Sequence, residues 1–333
     1  MRGRDPAELV ERAAGGDRAA LARLLTLVER GGDGARQVAR LAHQRAGGAY
    51  TIGVTGAPGA GKSTLTHALV RHLRQDGRDR HEVGVLAVDP SSPFTGGAIL
   101  GDRVRMTGHA ADDGVFIRSM ASRGHLGGLA LATRDAVRVL DAAGFGLVVV
   151  ETVGVGQVEV AIAGAADTTV VVVSPGWGDA VQASKAGLLE IADVLVVNKA
   201  DLGGAEAAVR DLENVLQLVG PSPGRWRPPV VVTSAPAGTG VAELWQAVTG
   251  HRAALEATGE LDARRRQRLA TELREVVLRR LEDQAATAAG LGSFDALVDE
   301  IVAGRLDPWS AADVLLTFTQ PAAGERSGPP PPG

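Results

Sequence analysis

The sequence of 333 residues has no cysteine, only 3% aromatic residues and no long apolar segment. Without cysteine, disulfides and cysteine-ligated metal sites are excluded, and a reducing cytoplasmic location is expected. Apolar runs such as "TTVVVVS" (168–174) have the length of a strand and are too short to span a bilayer. The start, "MRGRDPAELVERAAGG", lacks the apolar core of a signal peptide. The net charge of −4 gives no general reason to expect nucleic-acid binding.

Short valine-rich runs alternate with helical segments between residues 49 and 250. Runs such as "YTIGVTG" and "ADVLVVNKAD" are continuously apolar, which indicates a parallel sheet covered on both faces. We therefore predict an α/β fold with a mainly parallel central sheet, in which ligands bind beyond the carboxyl ends of the strands. The predicted parts of the chain are an N-terminal helical extension (1–48), the α/β domain (49–250), a C-terminal helical arm (251–318) and a disordered tail (319–333).

The spacing of apolar residues predicts how the N-terminal helical extension and the C-terminal arm pack. Asp5, Pro6 and Glu8 form the start signal of a first helix, and Leu21 to Val28 place apolar residues on one helical face that should pack on the next domain. In the arm, one stripe consists of Leu269, Leu273, Val276, Val277 and Leu281. Its arginines alternate with glutamates, which favours a solvated face over a nucleic-acid interface. We expect the stripe to be buried against a second copy, giving a homodimer.

The stretch "GAPGAGKST" (56–64) lies between a predicted strand and a predicted helix, the context that a phosphate-binding loop requires. Its glycines let backbone N–H groups point at phosphate oxygens, and the helix start adds its positive end. Lys62 would neutralise the β- and γ-phosphates, and Ser63 would bind magnesium. The predicted phosphate contacts are Gly56, Ala57, Pro58, Gly59, Ala60, Gly61, Lys62, Ser63 and Thr64. This motif predicts a triphosphate site on a P-loop NTPase fold.

The stretch "NKAD" (198–201) ends a later strand and indicates guanine. The Asp201 carboxylate can accept two hydrogen bonds from groups that adenine lacks, and such polar selection reaches about 10⁴-fold. Asn198 would contact the base edge, and the stem of Lys199 would cover its face. In the downstream "TSA" segment, Ser234 and Ala235 would offer N–H groups to the guanine carbonyl. GTP is therefore expected rather than ATP.

Carboxylates at further strand ends are candidates for magnesium. Asp89 follows "VLAV", Asp102 lies in the next loop, and Glu151 ends the strand "GLVVVE", which should adjoin the phosphate loop. Gly154 can donate its N–H to the γ-phosphate. Valine follows Gly154 where a water-positioning glutamine is usual, and Gln157 is a weak substitute. Unaided hydrolysis is therefore expected to be slow, with a partner completing the site.

Together these motifs resemble the MeaB/ArgK-like GTPases, companions of adenosylcobalamin-dependent methylmalonyl-CoA mutase. The resemblance rests on "GAPGAGKST", "DPSSPFTGGAILGDRVRM", "FIRSMASRGHLGGLA", "ETVGVGQVE" and "NKAD" in that order, and covers about residues 50–250. It implies a GTPase chaperone that gates cofactor loading and protects an acyl-CoA mutase, acting as a homodimer through C-terminal helices. GTP or GDP with magnesium would be the ligand, and adenosylcobalamin would be met only through the mutase.

The resemblance also implies roles for individual residues. It places guanine at Asp201 and at Ser234, Ala235 and Pro236. Magnesium would be surrounded by Ser63, Asp89, Asp102 and Glu151. The candidate catalytic residues are Lys62, Asp89, Glu151 and Lys185, the last in "SPGWGDAVQASKAG" (174–187), which matches a mobile loop of the family. There Ala180 and Val181 depart from the usual Glu-Leu, which leaves the detail of that loop's response to the mutase open. His109 and His125 are interpreted as structural or surface residues rather than cobalt ligands.

Two alternative functions remain open. One is a kinase that phosphorylates a periplasmic amino-acid-binding protein, although no base poised for an acceptor is evident beyond the magnesium and water residues. The other is a regulatory switch that binds a different protein through its helical arms. The sequence has no His/Cys-rich tract, which argues against a nickel chaperone.

Overall fold

The computed structural model describes residues 5–75, 81–90, 112–122, 126–152, 164–176, 190–218 and 226–319. Within these ranges seven strands form one all-parallel sheet, which confirms the predicted α/β fold with a mainly parallel sheet. The strands are β1 (Tyr50–Gly56), β2 (Val83–Pro90), β3 (Val115–Ser122), β4 (Leu147–Thr152), β5 (Thr168–Val173), β6 (Val194–Val197) and β7 (Val230–Val232). Their order across the sheet is β3-β2-β4-β1-β5-β6-β7, which places the phosphate-loop strand β1 between β4 and β5.

Helices precede, separate and follow the strands along the chain. They are α1 (Pro6–Ala14), α2 (Arg18–Arg30), α3 (Gly32–His43), α4 (Lys62–Gln75), α5 (Leu126–Ala142), α6 (Ala205–Leu218), α7 (Val241–Thr258), α8 (Glu260–Val302) and α9 (Pro308–Thr319). Because side chains alternate along a strand, Ile52 and Val54 pack with α4 and α7, whereas Val148 and Val150 face α5 on the opposite side. This burial on both faces explains why the strands are continuously apolar.

The N-terminal helices share a core with the sheet. Asp5 caps α1 by accepting from the Ala7 N–H over 3.1 Å, and Pro6 occupies the first turn. The apolar face from Leu21 to Val28 is buried in the cluster that contains α5 and β4. The packing of this face on the next domain is confirmed.

The chain is divided into two compact units, Met1–Arg268 and Leu269–Gly333. The first unit includes α7 and the start of α8, because His251, Leu255 and Leu261 are buried. The sequence pattern assigned these residues to the arm. The second unit contains the rest of α8 and α9. No helix in the described ranges has the length and apolar character needed to cross a membrane.

A buried ion cluster lies at the amino ends of β1 and β5, opposite the end where ligands are expected. Asp167 accepts from the Thr51 N–H over 3.0 Å and from Arg265 over 2.8 Å, and it also pairs with Arg268. Burial raises the pKa of Asp167, but the hydrogen bond from Arg265 and the charges of both arginines outweigh it, so the pKa lies below the usual value. This cluster fixes the start of α8 to the sheet.

Replacing Asp167 by alanine should therefore lower the free energy of unfolding by about 3–5 kcal/mol, because two arginines lose their buried partner. Chemical denaturation measures the effect. Asp33→Ala is the control, since Asp33 is 99% exposed beside Arg36 and should leave the midpoint nearly unchanged. The pKa of Asp167 is lower in the native state than in the unfolded chain, where it is about 3.9. The contribution of Asp167 to the free energy of unfolding is therefore fully present above the unfolded pKa and is lost as the pH falls through the native pKa. Equal midpoints for both variants would contradict this account.

Candidate nucleotide-binding site

Those predicted site residues that lie in the described ranges converge at the carboxyl edge of the sheet. The loops that follow β1, β6 and β7 carry the phosphate motif, "NKAD" and "TSA", and Glu151 is the penultimate residue of β4. Because β4, β1, β5 and β6 are neighbours, their ends form one continuous surface. The sequence therefore folds so that motifs up to 180 residues apart meet.

The phosphate loop connects β1 directly to α4 and approaches other backbone closely. Gly56 has φ 135°, and a Cβ there would stand 2.0 Å from the carbonyl oxygen of Val172 in β5. Gly61 has φ 89°, and a Cβ there would stand 2.6 Å from Nδ2 of Asn198. Only glycine fits at these two positions.

Lys62 is the first residue of α4 and its ammonium lies inside the loop. The Nζ group donates to the carbonyl oxygens of Gly56 over 2.8 Å and of Ala57 over 3.0 Å, and the side chain is buried. The helix start and the Lys62 charge make this loop electropositive, which suits the β- and γ-phosphates of a nucleotide.

Ser63 and Glu151 are hydrogen-bonded to each other across α4 and β4. The Ser63 hydroxyl donates to Oε1 of Glu151, whose side chain is only 3% exposed. Val54 of β1 pairs with Glu151, so the predicted proximity of this strand to the phosphate loop is confirmed. A hydroxyl and a carboxylate beside a phosphate loop are the hard oxygen donors that Mg²⁺ takes together with nucleotide phosphates, so these residues fit the ion.

Asp89 lies in β2, which pairs with β4 up to Val88 and Thr152. Its backbone therefore reaches the same edge of the sheet as Glu151. The other predicted residues of this region, Asp102, Gly154, Gln157 and Lys185, lie outside the described residues, as do His109 and His125.

Asn198 joins three loops of the site. Its Nδ2 donates to the carbonyl oxygen of Ala60 over 2.9 Å, and its Oδ1 accepts from the Thr233 hydroxyl over 3.0 Å and from the Ala235 N–H over 3.2 Å. The side chain is buried, and its amide connects the phosphate loop to the "TSA" segment. We call this set of bonds the Asn198 tether; no pattern in the sequence indicated it. A contact of Asn198 with the guanine base stays a prediction.

Lys199 directly precedes a short 3₁₀ turn at Ala200–Leu202, which contains Asp201. Lys199 has φ 62°, the one positive value for a non-glycine residue in the described ranges, and such conformations are concentrated at functional sites. The Ser234 hydroxyl donates to Oδ1 of Asp201 over 2.7 Å. This hydrogen bond lowers the pKa of Asp201, so the exposed carboxylate is ionised and able to accept hydrogen bonds from a guanine base.

The backbone N–H groups of the "TSA" segment, which are predicted to bind the guanine carbonyl, have partners within the protein. The Ser234 N–H donates to the carbonyl oxygen of Thr239 over 3.1 Å, and the Ala235 N–H donates to Asn198. Both N–H groups are engaged, because the segment turns back on Thr239 and because the Asn198 side chain accepts from Ala235. A guanine carbonyl would have to share or replace these bonds. Pro236 is exposed in the same turn.

A cleft of about 350 Å³ opens beside Lys199. It is lined by Ser174, Pro175 and Gly176 after β5 and by Lys199, Leu202, Gly203 and Gly204 after β6. Its size falls within the range of small-molecule sites, and it adjoins the base-recognition motif.

Gly61→Ala should destabilise the nucleotide-free protein more than Gly59→Ala. Both glycines have positive φ, so alanine carries a backbone strain of about 1–2 kcal/mol at each. Only at Gly61 would the new Cβ displace Asn198, whereas nothing lies within 4 Å at Gly59. Breaking the buried Asn198 bonds should remove a further 1–3 kcal/mol or so. Thermal denaturation measures the difference, and equal losses would show that the tether is unimportant.

A parallel sheet with this phosphate loop and a guanine-type "NKAD" after β6 defines a P-loop GTPase. The family model described as "Methylmalonyl Co-A mutase-associated GTPase MeaB" matches residues 21–290. The chain therefore belongs to the MeaB family, is a GTPase and binds guanine nucleotides. The family resemblance stated from the motifs is confirmed.

Individual relatives agree with this assignment. A protein of Pyrococcus abyssi whose name assigns it provisionally to the GTPases is 50% identical over 311 residues, covering 93% of this chain and 95% of that one. The "Methylmalonic aciduria type A homolog, mitochondrial" of Mus musculus is 32% identical over 319 residues, covering 90% and 76%. A crystal structure of an "LAO/AO transport system kinase" superposes with a TM-score of 0.70 at 28% identity, covering 96% and 98%. The last supports the fold along nearly the whole chain.

Proposed function

We propose that this GTPase is a cytoplasmic chaperone of an adenosylcobalamin-dependent acyl-CoA mutase. GTP hydrolysis would gate cofactor loading and protect or reactivate the mutase. The observation that carries the proposal is the family match, which spans the complete nucleotide site and whose description names a mutase-associated GTPase. Methylmalonyl-CoA mutase is the first candidate client, and the name of the mouse relative points to the same metabolite class.

The nucleotide would lie across the carboxyl edge of the sheet. Residues Gly56–Thr64 would hold the phosphates, and Asp201 would select guanine with Lys199 over its face. Ser63 and Glu151 would hold magnesium, directly or through water, with Asp89 and Asp102 completing the set. The ion would neutralise charge that develops on the phosphates. Gly154 would donate its N–H to the γ-phosphate.

Slow basal hydrolysis is part of this proposal. Valine follows Gly154, so no glutamine at the usual spacing orients the attacking water. A partner that supplies the missing group would accelerate hydrolysis, by about 10³–10⁵-fold in comparable systems. Lys185 is our candidate for a residue that responds to the mutase.

Exposed apolar residues on α8 support a homodimer. Within the second unit Leu273 is 65% exposed, and Leu269, Val276, Val277 and Leu281 are also accessible along the predicted stripe. A contiguous apolar surface of this kind marks a protein interface. Leu273→Glu should convert a dimer to a monomer in analytical ultracentrifugation, whereas Glu272→Gln at the neighbouring position should not. A wild-type monomer would contradict the proposed dimer.

The chaperone role is tested by following the inactivation of an adenosylcobalamin-loaded mutase during turnover. Purified chain with GTP should protect a turning-over mutase from inactivation, and a non-hydrolysable GTP analogue should block the effect. Lys62→Ala supplies a matched protein without a functional phosphate loop. An identical inactivation rate with and without the GTPase would refute the chaperone role and leave the GTPase assignment intact.

The kinase alternative has one observation in its favour, the structural relative described as a transport system kinase. It predicts transfer of the γ-phosphate to a periplasmic amino-acid-binding protein. With γ-labelled GTP, we expect all label in inorganic phosphate. Label on the acceptor protein would favour the kinase.

A further inference from the structure

Two buried threonines lie directly beside the proposed magnesium site. Thr55 precedes Gly56 in β1, and Thr152 follows Glu151 in β4. The Thr152 hydroxyl donates to the Thr55 hydroxyl over 3.1 Å, and both residues are fully buried. Because Val54 pairs with Glu151, the two threonines face each other on the next rung of the sheet. A side-chain hydrogen bond therefore adds to the backbone pairing between the strand of the phosphate loop and the strand of the carboxylate.

Packing alone does not require hydroxyls at these positions. The same side of the sheet carries Val148 and Val150 in β4, and Thr55 pairs with Val171 in β5. Valine has nearly the shape of threonine and is equally suited to a strand, while a buried hydroxyl is unfavourable unless it is paired. What the threonine pair adds is a directional link.

The link acts on the strand end that carries Glu151. Successive side chains of a strand point to opposite faces, so Glu151 faces α4 and Thr152 faces the other side. Glu151 is bonded to Ser63, and Thr152 is bonded to β1. The end of β4 is thus held by side-chain hydrogen bonds on both faces, in addition to its backbone pairing with β1 and β2.

We infer that Thr152 is a positioning residue for GTP hydrolysis. With Thr55, it holds the end of β4 so that the Glu151 carboxylate stays beside Ser63. The inference rests on the proposed role of Ser63 and Glu151 at magnesium. It assigns Thr152 no contact with the nucleotide.

Thr152→Val should lower kcat by about 3- to 10-fold, the range expected for one lost hydrogen bond. The magnesium concentration for half-maximal rate should rise, while KM for GTP stays the same because Lys62 and Asp201 are not touched. Thr152→Ser should restore both quantities. Thr51→Val is the matched control, since Thr51 is a buried threonine on the same strand and face as Thr55, four residues from it. A Thr152→Val enzyme that matches the control would overturn the inference.

The double variant Thr55→Val/Thr152→Val separates positioning from stability. It leaves neither hydroxyl unpaired, so it should melt at or above the wild-type temperature even if Thr152→Val alone fails to fold. We expect kcat to stay low in this stable protein. Recovery of wild-type kcat and magnesium dependence would overturn the inference. Glu151→Gln is measured in parallel. An unchanged magnesium dependence of hydrolysis in this variant would refute the proposed magnesium site, and with it the role of Thr152.

Discussion

Lys62→Ala should reduce the affinity for GTP by about 100-fold or more and abolish measurable hydrolysis. The ammonium is the charged donor inside the phosphate loop, where it lies within 3.0 Å of two loop carbonyls. Truncating one partner of a buried, hydrogen-bonded charge pair removes roughly 2–5 kcal/mol, and the lost positive charge would leave the phosphates without compensation. Isothermal titration with GTP and with a non-hydrolysable analogue measures the affinity.

The control for this variant is Arg71→Ala. Arg71 is an exposed cation on the same helix, nine positions further along α4. It should bind GTP as the wild type does. Retained GTP affinity in Lys62→Ala would refute the assignment of the phosphate loop.

Asp201→Asn should exchange guanine for xanthine as the preferred base. The carboxylate is acceptor-only and can receive both the ring N–H and the 2-amino group of guanine, whereas asparagine offers one acceptor and one donor. The donor would face the 2-amino group of guanine unfavourably but would match the 2-oxo group of xanthine. The ratio of GTP to XTP affinity should fall by about 10³-fold or more, because sites that pair a specific polar group discriminate strongly.

Competition binding with GTP, XTP and ATP measures this change. Asp211→Asn, an exposed position on α6, is the control and should keep the wild-type order. Ser234→Ala should weaken GTP binding less, since it removes only the hydroxyl that orients Asp201. An Asp201→Asn protein that still prefers GTP would show that another group reads the base.

The sequence was sufficient for most of the sheet. The exception is β3, where Arg118 and Ser119 interrupt the apolar run and no strand was predicted. Continuous valine runs predicted parallel strands, because strands of a parallel sheet are buried on both faces. The phosphate loop and "NKAD" could be recognised because each is a short local pattern at the end of such a strand. Even the proximity of Glu151 to the phosphate loop followed, since it depends only on which strands are neighbours.

Contacts between distant segments could not be predicted in this way. Asn198 uses its amide to bind Ala60, 138 residues earlier, and no periodicity records that pairing. Arg265 and Asp167 are 98 residues apart. The arginines of α8 were interpreted as solvated because glutamates alternate with them, and that local pattern does not point to a partner before β5. The engaged N–H of Ser234 depends on a tight turn with Thr239 that composition does not specify.

GTP turnover by this chain is proposed to serve a cobalamin-dependent mutase. The most direct measurement is GTP hydrolysis by the purified protein, alone and with each adenosylcobalamin-dependent acyl-CoA mutase of the same genome. We expect one mutase to accelerate hydrolysis, with no acceleration in Lys62→Ala. Unchanged turnover with every mutase would contradict the claim and leave a MeaB-family GTPase with a different partner.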